Sequence, residues 1–201
     1  MGDSRDLLRA RMSLRRNELD AKQRIAAAAG VLRSLERLPE FMVDARIAGY
    51  WAVRGELPLN LAVASLARRE QQYFLPVLSQ ARQLHFAEYA TGAAVTHNRF
   101  GIPEPAVPAD RWLTPRDMDV ILLPLLAFDR RGHRLGTGGG WYDTSLAFLH
   151  DLPRPAVPLL VGVAYAFQEI EAVPAEPWDV DLDYVVTDAE LIACTAIGAP
   201  T

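Results

Sequence analysis

Hydrophobic positions along the chain follow two patterns, one of short unbroken runs and one with the period of a helix. Two runs, at residues 119–128 and 158–165, are apolar almost throughout and are too short to span a bilayer. Such runs are typical of strands buried on both faces, so we expect the first to lie in the middle of a sheet. Residues 91–115 are rich in proline and are interpreted as a loop bordering a substrate cleft. Shorter strand candidates lie at residues 46–51, 72–78, 84–89 and 184–187.

Helical periodicity is found in three segments, residues 4–18, 20–38 and 58–69. The first segment combines apolar positions with a series of arginines, which indicates an amphipathic helix with a solvated basic face. These arginines are Arg5, Arg9, Arg11, Arg15 and Arg16. Asp20 and Gln23 form the pattern of a capping box at the start of the second segment, and Pro39 is expected to end it. Strands that alternate with helices predict an α/β sandwich with a largely parallel sheet.

The stretch after the central apolar run has the composition of a phosphate-binding loop. A charged turn at residues 129–134 leads into the glycine-rich residues 136–140 and then to Trp141, which opens an amphipathic segment. Glycines let backbone N–H groups approach an anion closely, and the start of a helix favours negative charge. A Walker A loop would need Lys and Ser or Thr after the last glycine, and a dinucleotide fingerprint would need glycine in place of Trp141. The alternative is a tight surface turn.

Composition narrows the class of protein. With 201 residues, 50% of them hydrophobic, we expect one domain with a sizeable core. A net charge of -4 argues against a general nucleic-acid binder, and Lys22 is the only lysine, so phosphate recognition would depend on arginine. A lone cysteine, Cys194, and the lack of a signal-peptide pattern lead us to expect a cytoplasmic protein without a membrane partner. Metal-ligand spacing is absent among the histidines, His85, His97, His133 and His150.

The glycine-rich stretch also resembles the signature of a known family, the 5-formyltetrahydrofolate cyclo-ligases. That signature is an Asp, a short basic turn, Arg-Leu-Gly, a glycine-rich triplet and Tyr-Tyr-Asp, and the similar stretch here is FDRRGHRLGTGGGWYD at residues 128–143. Other similar segments follow in the family's order: YWAVRGE at 50–56, FGIPEP at 100–105, PWD at 177–179 and VVTD at 185–188. The resemblance therefore covers nearly the whole chain.

The resemblance implies both a fold and a reaction. The fold would be a three-layer α/β/α sandwich similar to the ribose-phosphate isomerase and CoA-transferase fold, in a single domain, 1–201, whose helical segment, 1–39, packs on the sheet. The reaction would be the ATP-dependent cyclisation of 5-formyltetrahydrofolate to 5,10-methenyltetrahydrofolate, with ADP and phosphate released and Mg²⁺ as the metal. The partners would be the reduced folate and ATP, bound by a monomer or weak homodimer.

The resemblance also assigns residues to the site. Arg134 and Asp143 would be catalytic, and Asp143 and Asp179 would hold Mg²⁺. An N-terminal basic pair that helps the family bind ATP phosphates matches Arg5 and Arg9. The other ATP-binding positions would be Arg134, Leu135, Gly136, Thr137, Gly138, Gly139, Gly140, Trp141 and Tyr142. The folate-binding positions would be Trp51, Glu56, Thr137, Gly138, Gly139, Gly140 and Trp141.

Taken singly, the same residues have simpler interpretations. Asp143 could be a first-turn carboxylate at a helix start, Asp179 a turn residue and Trp51 a core residue. Three positions depart from the residues that many family members carry: Thr137, Gly139 and Trp141. Two alternative functions stay open for these reasons. One is a paralogue that has lost the activity and regulates through folate or nucleotide binding, and the other is a sugar-phosphate isomerase that uses the same loop.

Overall fold

The structure, a computed structural model, describes residues 2–79 and 82–194. The α-helices in this part of the chain are α1 Gly2–Asn17, α2 Ala21–Leu35, α3 Pro39–Val43, α4 Asn60–Arg68 and α5 Trp141–Leu146. The strands are β1 Arg46–Ala48, β2 Gln72–Leu78, β3 Leu84–Glu88, β4 Val95–His97, β5 Pro103–Pro105, β6 Val120–Pro124, β7 Ala127–Phe128, β8 Arg134–Leu135, β9 Leu159–Ala164, β10 Tyr184–Thr187 and β11 Leu191–Ala193. Short 3₁₀ helices lie at Ala109–Arg111, Pro115–Asp117, Ala147–Asp151 and Ala166–Gln168.

Seven strands form one sheet, in the order β11-β10-β9-β6-β1-β2-β3. The interior pairings are parallel, and the two outermost, β2 with β3 and β10 with β11, are antiparallel. The expectation that the central apolar run lies in mid-sheet is confirmed, because β6 is fourth of the seven. From β1 the chain proceeds outward to β2, whereas from β6 it proceeds outward to β9 on the other side. A ligand crevice is expected at the carboxyl ends of strands where the order reverses in this way.

The central strand is buried on both faces of the sheet. Val120 and Leu122 join one hydrophobic cluster, Ile121 and Leu123 join a second, and all four side chains are fully buried. The first cluster contains residues of α2, α3 and α4, and the second contains residues of α5 and of the 3₁₀ helix after it. Alternate residues thus face opposite layers, which is why β6 shows no polar positions.

The N-terminal helices pack against this sheet domain. The predicted capping box of α2 is confirmed, with the Asp20 carboxylate accepting from the Gln23 N–H at 2.7 Å and the Gln23 side chain accepting from the Asp20 N–H at 2.9 Å. α2 packs so closely on the end of β10 that a side chain at Gly30 would clash with the Asp188 backbone. α1 buries Met12 in a third, smaller cluster beside β7 and β8.

The long apolar run is divided, contrary to the sequence prediction of one strand. β6 ends at Pro124, and β7 pairs with β8 in a separate two-stranded ribbon. Between them the carbonyls of Leu125 and Leu126 accept hydrogen bonds from Nε2 of Gln168, at 3.0 and 2.9 Å. A buried side-chain amide therefore satisfies the backbone where the chain leaves the sheet. The glycine-rich loop consequently follows this ribbon and not the central strand itself.

Several short elements were missed from sequence. Residues 91–115, predicted as loop, contain the hairpin of β4 and β5, and the residues after β10 contain the edge strand β11. Pro39 does not simply end a helix: α2 stops at Leu35, and Pro39 begins α3. Proline suits the first position of a helix because its missing N–H would have no partner there.

The α/β class with a largely parallel central sheet is confirmed. The likeness to the ribose-phosphate isomerase and CoA-transferase fold stays a prediction. So does the single domain over 1–201, because residues 195–201 lie outside the described part of the chain. Among the helices of the described ranges, none has the length and apolar character needed to cross a membrane.

Candidate active site

A cavity of about 650 Å³ lies where the strand order reverses. Its floor, as we call it, consists of Glu56 in the loop after β1 and of Pro124 and Leu125 at the end of β6. Its outer wall consists of Arg5, Arg9, Arg134, the glycine loop (residues 136–140), Asp143 and the turn at residues 176–179. The cavity thus lies at the carboxyl ends of two neighbouring parallel strands, the usual place for a ligand in an open α/β sheet.

The turn that precedes the glycine loop is organised by a buried carboxylate, Asp129. It accepts hydrogen bonds from the backbone N–H groups of Arg131, His133 and Val173 at 3.0, 3.3 and 3.0 Å, and lies 3.0 Å from Nδ1 of His133. Burial alone would raise the pKa of Asp129, but these hydrogen bonds bring it below its ordinary value. Gly132 has φ +101°, and a side chain there would meet the Leu182 backbone. His133, which has no role in the sequence analysis, therefore helps to hold the turn.

The glycine loop is held by arginines from two different parts of the chain. Arg9 of α1 donates from Nε to the carbonyl of Gly136 at 3.0 Å, and Arg82 donates from Nη2 to the carbonyl of Gly139 at 2.9 Å. Gly138, between them, has φ +94°, in the left-handed region that favours glycine. The loop then enters α5, whose first turn faces the cavity. Two of the loop carbonyls are therefore turned toward arginine side chains.

Two arginine–aspartate ion pairs line the cavity. Arg134 donates from Nη2 to the Asp143 carboxylate at 2.5 Å, and its Nη1 donates to the carbonyl of Val180. Arg5 donates from Nη1 to the Asp179 carboxylate at 2.9 Å. Both pairs are largely shielded from solvent, so each charge depends on its partner. Each pair joins an arginine assigned to phosphate binding with an aspartate assigned to the metal.

The floor contains a partly buried carboxylate above a buried arginine. Glu56 accepts a hydrogen bond from the Val53 N–H at 3.0 Å. Burial raises the pKa of Glu56, although that N–H and the charges of Arg16 and Arg54 oppose the rise. Arg16 is only 2% exposed, and it donates to the carbonyls of Arg54 and Leu125 at 3.1 and 3.4 Å. The prediction of a solvated arginine face on α1 is therefore wrong for Arg16.

Three aromatic side chains, Phe100, Trp141 and Trp178, lie on the cavity or next to a residue that lines it. Phe100, in the turn between β4 and β5, meets Trp141 edge to face with ring centroids 6.3 Å apart. The Arg99 guanidinium lies over the same Trp141 ring at 5.3 Å. Trp178 lies on the cavity rim with 64% of its surface exposed. Sequence analysis assigned no role to Phe100, Arg99 or Trp178, although Phe100 and Trp178 lie in segments that resemble the family.

A comparison with known protein families shows which family the chain belongs to. A model described as the 5-formyltetrahydrofolate cyclo-ligase family matches residues 1–188. The chain belongs to the 5-formyltetrahydrofolate cyclo-ligase family. A 5-formyltetrahydrofolate cyclo-ligase of Haemophilus influenzae is 33% identical over 180 residues, covering 89% of this chain and 94% of that protein. One from Escherichia coli is 32% identical over 180 residues, covering 88% of this chain and 96% of that protein.

Two solved structures with a similar fold are both 5,10-methenyltetrahydrofolate synthetases. The 5,10-methenyltetrahydrofolate synthetase of Aquifex aeolicus superposes with a TM-score of 0.80 at 29% identity, covering 98% of this chain and 95% of that one. A 5,10-methenyltetrahydrofolate synthetase from Mycoplasma pneumoniae superposes with a TM-score of 0.69 at 22% identity, covering 92% and 98%. The second likeness shows the fold alone.

Most residues assigned by resemblance to the cyclo-ligases meet in the cavity. Those that line it are Arg5, Arg9, Glu56, Arg134, Gly136, Thr137, Gly138, Gly139, Gly140, Trp141, Tyr142, Asp143 and Asp179. Two assigned residues do not line it. Leu135 is fully buried in β8, and half-buried Trp51 packs edge to face on Tyr89 with centroids 5.7 Å apart. Trp51 also packs against the first hydrophobic cluster, and its assignment to folate binding stays a prediction.

The two aspartates assigned to Mg²⁺ form a minimal donor set. Asp143 and Asp179 are oxygen ligands on the same cavity, and each is beside an arginine that could bind phosphate. Within the described ranges, no group of three or more His, Cys, Asp or Glu side chains could hold a metal ion. Magnesium that arrives with a nucleotide needs only one or two carboxylates besides phosphate oxygens and water. These residues therefore fit a nucleotide-bound Mg²⁺ but not a dedicated protein cage.

Proposed function

We propose that this member of the cyclo-ligase family catalyses the ATP-dependent cyclisation of 5-formyltetrahydrofolate to 5,10-methenyltetrahydrofolate, with release of ADP and phosphate. The observation that supports it is one cavity with two different linings. Its floor presents the carboxylate of Glu56, and its outer wall presents the glycine loop with Arg5 and Arg9. A carboxylate suits the N–H donors of a pterin, and a glycine loop with arginines suits a polyphosphate.

The chemistry requires positioning and charge stabilisation rather than a protein nucleophile. The formyl oxygen takes the γ-phosphoryl group of ATP, and the bond from phosphorus to the bridging oxygen breaks to release ADP. N10 then attacks the carbon of the resulting imidate phosphate, and the carbon–oxygen bond breaks to release phosphate. The proton of N10 leaves with the phosphate. Both substrates must therefore reach one cavity with the formyl oxygen beside the γ-phosphorus.

The outer wall would bind the triphosphate by exchanging its ion pairs. Arg5 and Arg134 now pair with Asp179 and Asp143, and both arginines face the cavity. In the nucleotide complex, the arginines would turn to phosphate oxygens and the aspartates to Mg²⁺. Bound Mg²⁺ would supply positive charge next to the transferred phosphoryl group. Each buried charge then keeps an opposite partner, so the exchange avoids the cost of an unpaired ion.

Arg9 lies beside the glycine loop and could also turn to a phosphate. Its Nε holds the carbonyl of Gly136, and its Nη1 contacts the exposed carboxylate of Asp6 at 2.5 Å. An exposed ion pair of this kind contributes little, so the guanidinium can turn to a phosphate at small cost. Arg9 would thus fix the loop and bind the nucleotide together.

The same proposal covers the location, oligomeric state, domain organisation and partners of the enzyme. It would act on reduced folate and ATP as a cytoplasmic monomer or weak homodimer, in a single domain over 1–201, without nucleic-acid or membrane partners. The net charge of -4 and the lone Cys194 support this part.

An absorbance assay for the methenyl product tests the function. Purified protein should form product only when 5-formyltetrahydrofolate, ATP and Mg²⁺ are all present, with one ADP released per product. The Escherichia coli relative serves as the positive control. Turnover without ATP would contradict the mechanism. Folate binding without turnover, under conditions where the control is active, would favour a regulatory paralogue, and turnover of sugar phosphates instead would favour the isomerase.

A further inference from the structure

Arg16 is a buried cation without an ion-pair partner in the described part of the chain. It is only 2% exposed, and its polar contacts are two backbone carbonyls, those of Arg54 and Leu125. Burial lowers its pKa, which shows that the site costs free energy to the charged form. An apolar side chain of similar length would avoid this cost, so packing alone does not explain an arginine here.

The two carbonyls belong to the two loops that build the cavity floor. Arg54 lies two residues before Glu56 in the loop after β1, and Leu125 itself lines the cavity at the end of β6. The guanidinium therefore bridges the carboxyl ends of two neighbouring strands. The planar guanidinium holds both carbonyls with donors in a fixed geometry, whereas the donors of a lysine ammonium can rotate.

Other buried polar groups hold the same two loops. Tyr165 donates from its hydroxyl to the carbonyl of Gly55 at 3.3 Å, and Gln168 donates to the carbonyl of Leu125 at 3.0 Å. Both of these donors are uncharged side chains. Arg16 is thus the member of this network that carries a charge. Among the charged groups around it, the carboxylate of Glu56 has the largest effect on the pKa of Arg16 and raises it.

We propose that Arg16 is a positioning residue for the folate half of the reaction. It fixes the loop of Glu56 against the end of β6, and its charge favours the ionised form of Glu56 inside a partly buried site. This inference rests on the proposed function, in which Glu56 contacts the folate. An ionised carboxylate makes stronger hydrogen bonds to N–H donors than a neutral acid, so folate binding depends on Arg16 although Arg16 does not line the cavity.

The electrostatics around Glu56 agree with this geometry. Burial is the main influence on the pKa of Glu56 and raises it, while the N–H of Val53 and the charges of Arg16 and Arg54 lower it. Removing Arg16 would therefore raise the pKa of Glu56 further. The charged and titratable groups that face Glu56 or Arg16 come from four parts of the chain: Arg24 of α2, Tyr50 and Arg54 of the loop after β1, Tyr142 of α5, and Tyr165 after β9.

Steady-state kinetics of Arg16→Met and Arg16→Lys test the proposal. Arg16→Met should raise KM for 5-formyltetrahydrofolate roughly tenfold or more, as expected for one lost charged interaction, and leave KM for ATP within about twofold. Arg16→Lys keeps the charge but loses the planar guanidinium, so its KM for 5-formyltetrahydrofolate should lie between those of wild type and Arg16→Met. Arg11→Met is the control, because Arg11 is exposed on the same helix and forms no side-chain hydrogen bond with any described residue.

The pH profile separates positioning from a purely structural role. As pH falls, folate KM should begin to rise at a higher pH in Arg16→Met than in wild type, because Glu56 loses its charge earlier. Glu56→Gln should lack this dependence. Equal increases in both KM values with an unshifted profile, or no change in folded Arg16→Met, would overturn the proposal. If Arg16→Met does not fold, Arg16→Lys decides: a several-fold rise in folate KM alone supports the proposal, and equal changes overturn it.

The proposed function can fail separately from this inference. Absence of methenyl product from the wild-type protein would contradict the cyclo-ligase reaction itself. Normal wild-type turnover with Arg16 variants that behave like Arg11→Met would contradict only the role of Arg16.

Discussion

The floor and the outer wall of the cavity are built from different interactions. The floor is joined to the sheet, and its loops are held by donors to backbone carbonyls, from Arg16, Tyr165 and Gln168. The outer wall also has donors to carbonyls, from Arg9 and Arg82 to the glycine loop, but it differs from the floor in its charge pairs between side chains, such as Arg5 with Asp179. Bonds to carbonyls cannot be exchanged for a ligand without unfolding a loop, whereas an ion pair can be exchanged when a ligand brings charges of its own.

This difference explains how one cavity could accept two unlike substrates. A fixed floor suits a flat ring system whose donors must meet a carboxylate in one orientation. An exchangeable wall suits a highly charged chain that brings a metal ion. Variants that disturb one region and leave the other unchanged test whether the two regions bind different substrates.

The largest effect is expected from Asp143→Asn. The change removes a carboxylate that we assign to Mg²⁺ and keeps an acceptor for Arg134, so turnover should fall by the equivalent of about 2.7–4 kcal/mol while the fold persists. Steady-state kcat at saturating Mg²⁺ and a thermal melt measure the two parts. Asp110→Asn, at an exposed position with no side-chain hydrogen bond to any described residue, is the control. Near-normal turnover of Asp143→Asn would show that Asp143 is only a first-turn residue of α5.

Asp179→Asn should change nucleotide binding in two opposite directions. Without metal, the variant should bind ATP roughly tenfold more tightly, because Arg5 loses its competing carboxylate. With Mg²⁺ present, the variant should bind the nucleotide more weakly than wild type, because one metal ligand is gone. Calorimetric titrations with EDTA and with Mg²⁺ measure both values, with Asp151→Asn as an exposed control. A change of the same sign in both titrations would refute the exchange of ion pairs.

Arg9→Ala should raise KM for ATP at least several-fold, as the loss of one charged hydrogen bond allows, with little change in folate KM. Its guanidinium reaches the glycine loop from α1, so its loss affects the wall and not the floor. Arg11→Ala on the same helix should leave both constants unchanged. Arg16 cannot serve as that control, because it is buried under the floor. If Arg9→Ala and Arg11→Ala behave alike, the phosphate site lies wholly in the glycine loop.

The smallest effect is expected from alanine in the glycine loop. Gly138 has φ +94°, so Gly138→Ala should cost about 1–2 kcal/mol of unfolding free energy through strain at Cβ. Gly136 has no positive φ and open space around it, so Gly136→Ala should change stability little. Denaturant unfolding of both variants provides the comparison. Equal losses of stability would show that the loop does not depend on the conformation at Gly138.

Sequence predicted the parts of the fold that depend on local pattern. The run around β6 identified the central strand because both faces are covered, and Asp20 with Gln23 identified the start of α2 because a capping box is a contact between near neighbours. The run could not reveal its own division after Pro124, because that depends on Gln168 from a distant segment. Hydrophobic periodicity indicates which positions are buried, but it does not indicate which distant side chain forms hydrogen bonds with the backbone.

Prediction of the candidate site from sequence is limited in the same way, because contacts between distant residues are not visible in a local pattern. The resemblance named Arg5 and Asp179 by position, but it could not reveal their ion pair, because the two residues lie 174 positions apart in the chain. The same holds for Arg16, which sequence placed on a solvated face with its neighbours. Arg11 and Arg16 look alike as members of an arginine-rich helix, and only the loops above α1 distinguish the buried one.

The most direct test of the division between floor and wall is the pair of KM values for Glu56→Gln. The variant keeps the size of the side chain and loses its charge, so KM for 5-formyltetrahydrofolate should rise roughly tenfold while KM for ATP stays near the wild-type value. That result, opposite to the pattern expected for Arg9→Ala, would establish that the floor binds folate and the wall binds nucleotide. A rise in KM for ATP, or no change in KM for folate, would contradict the account.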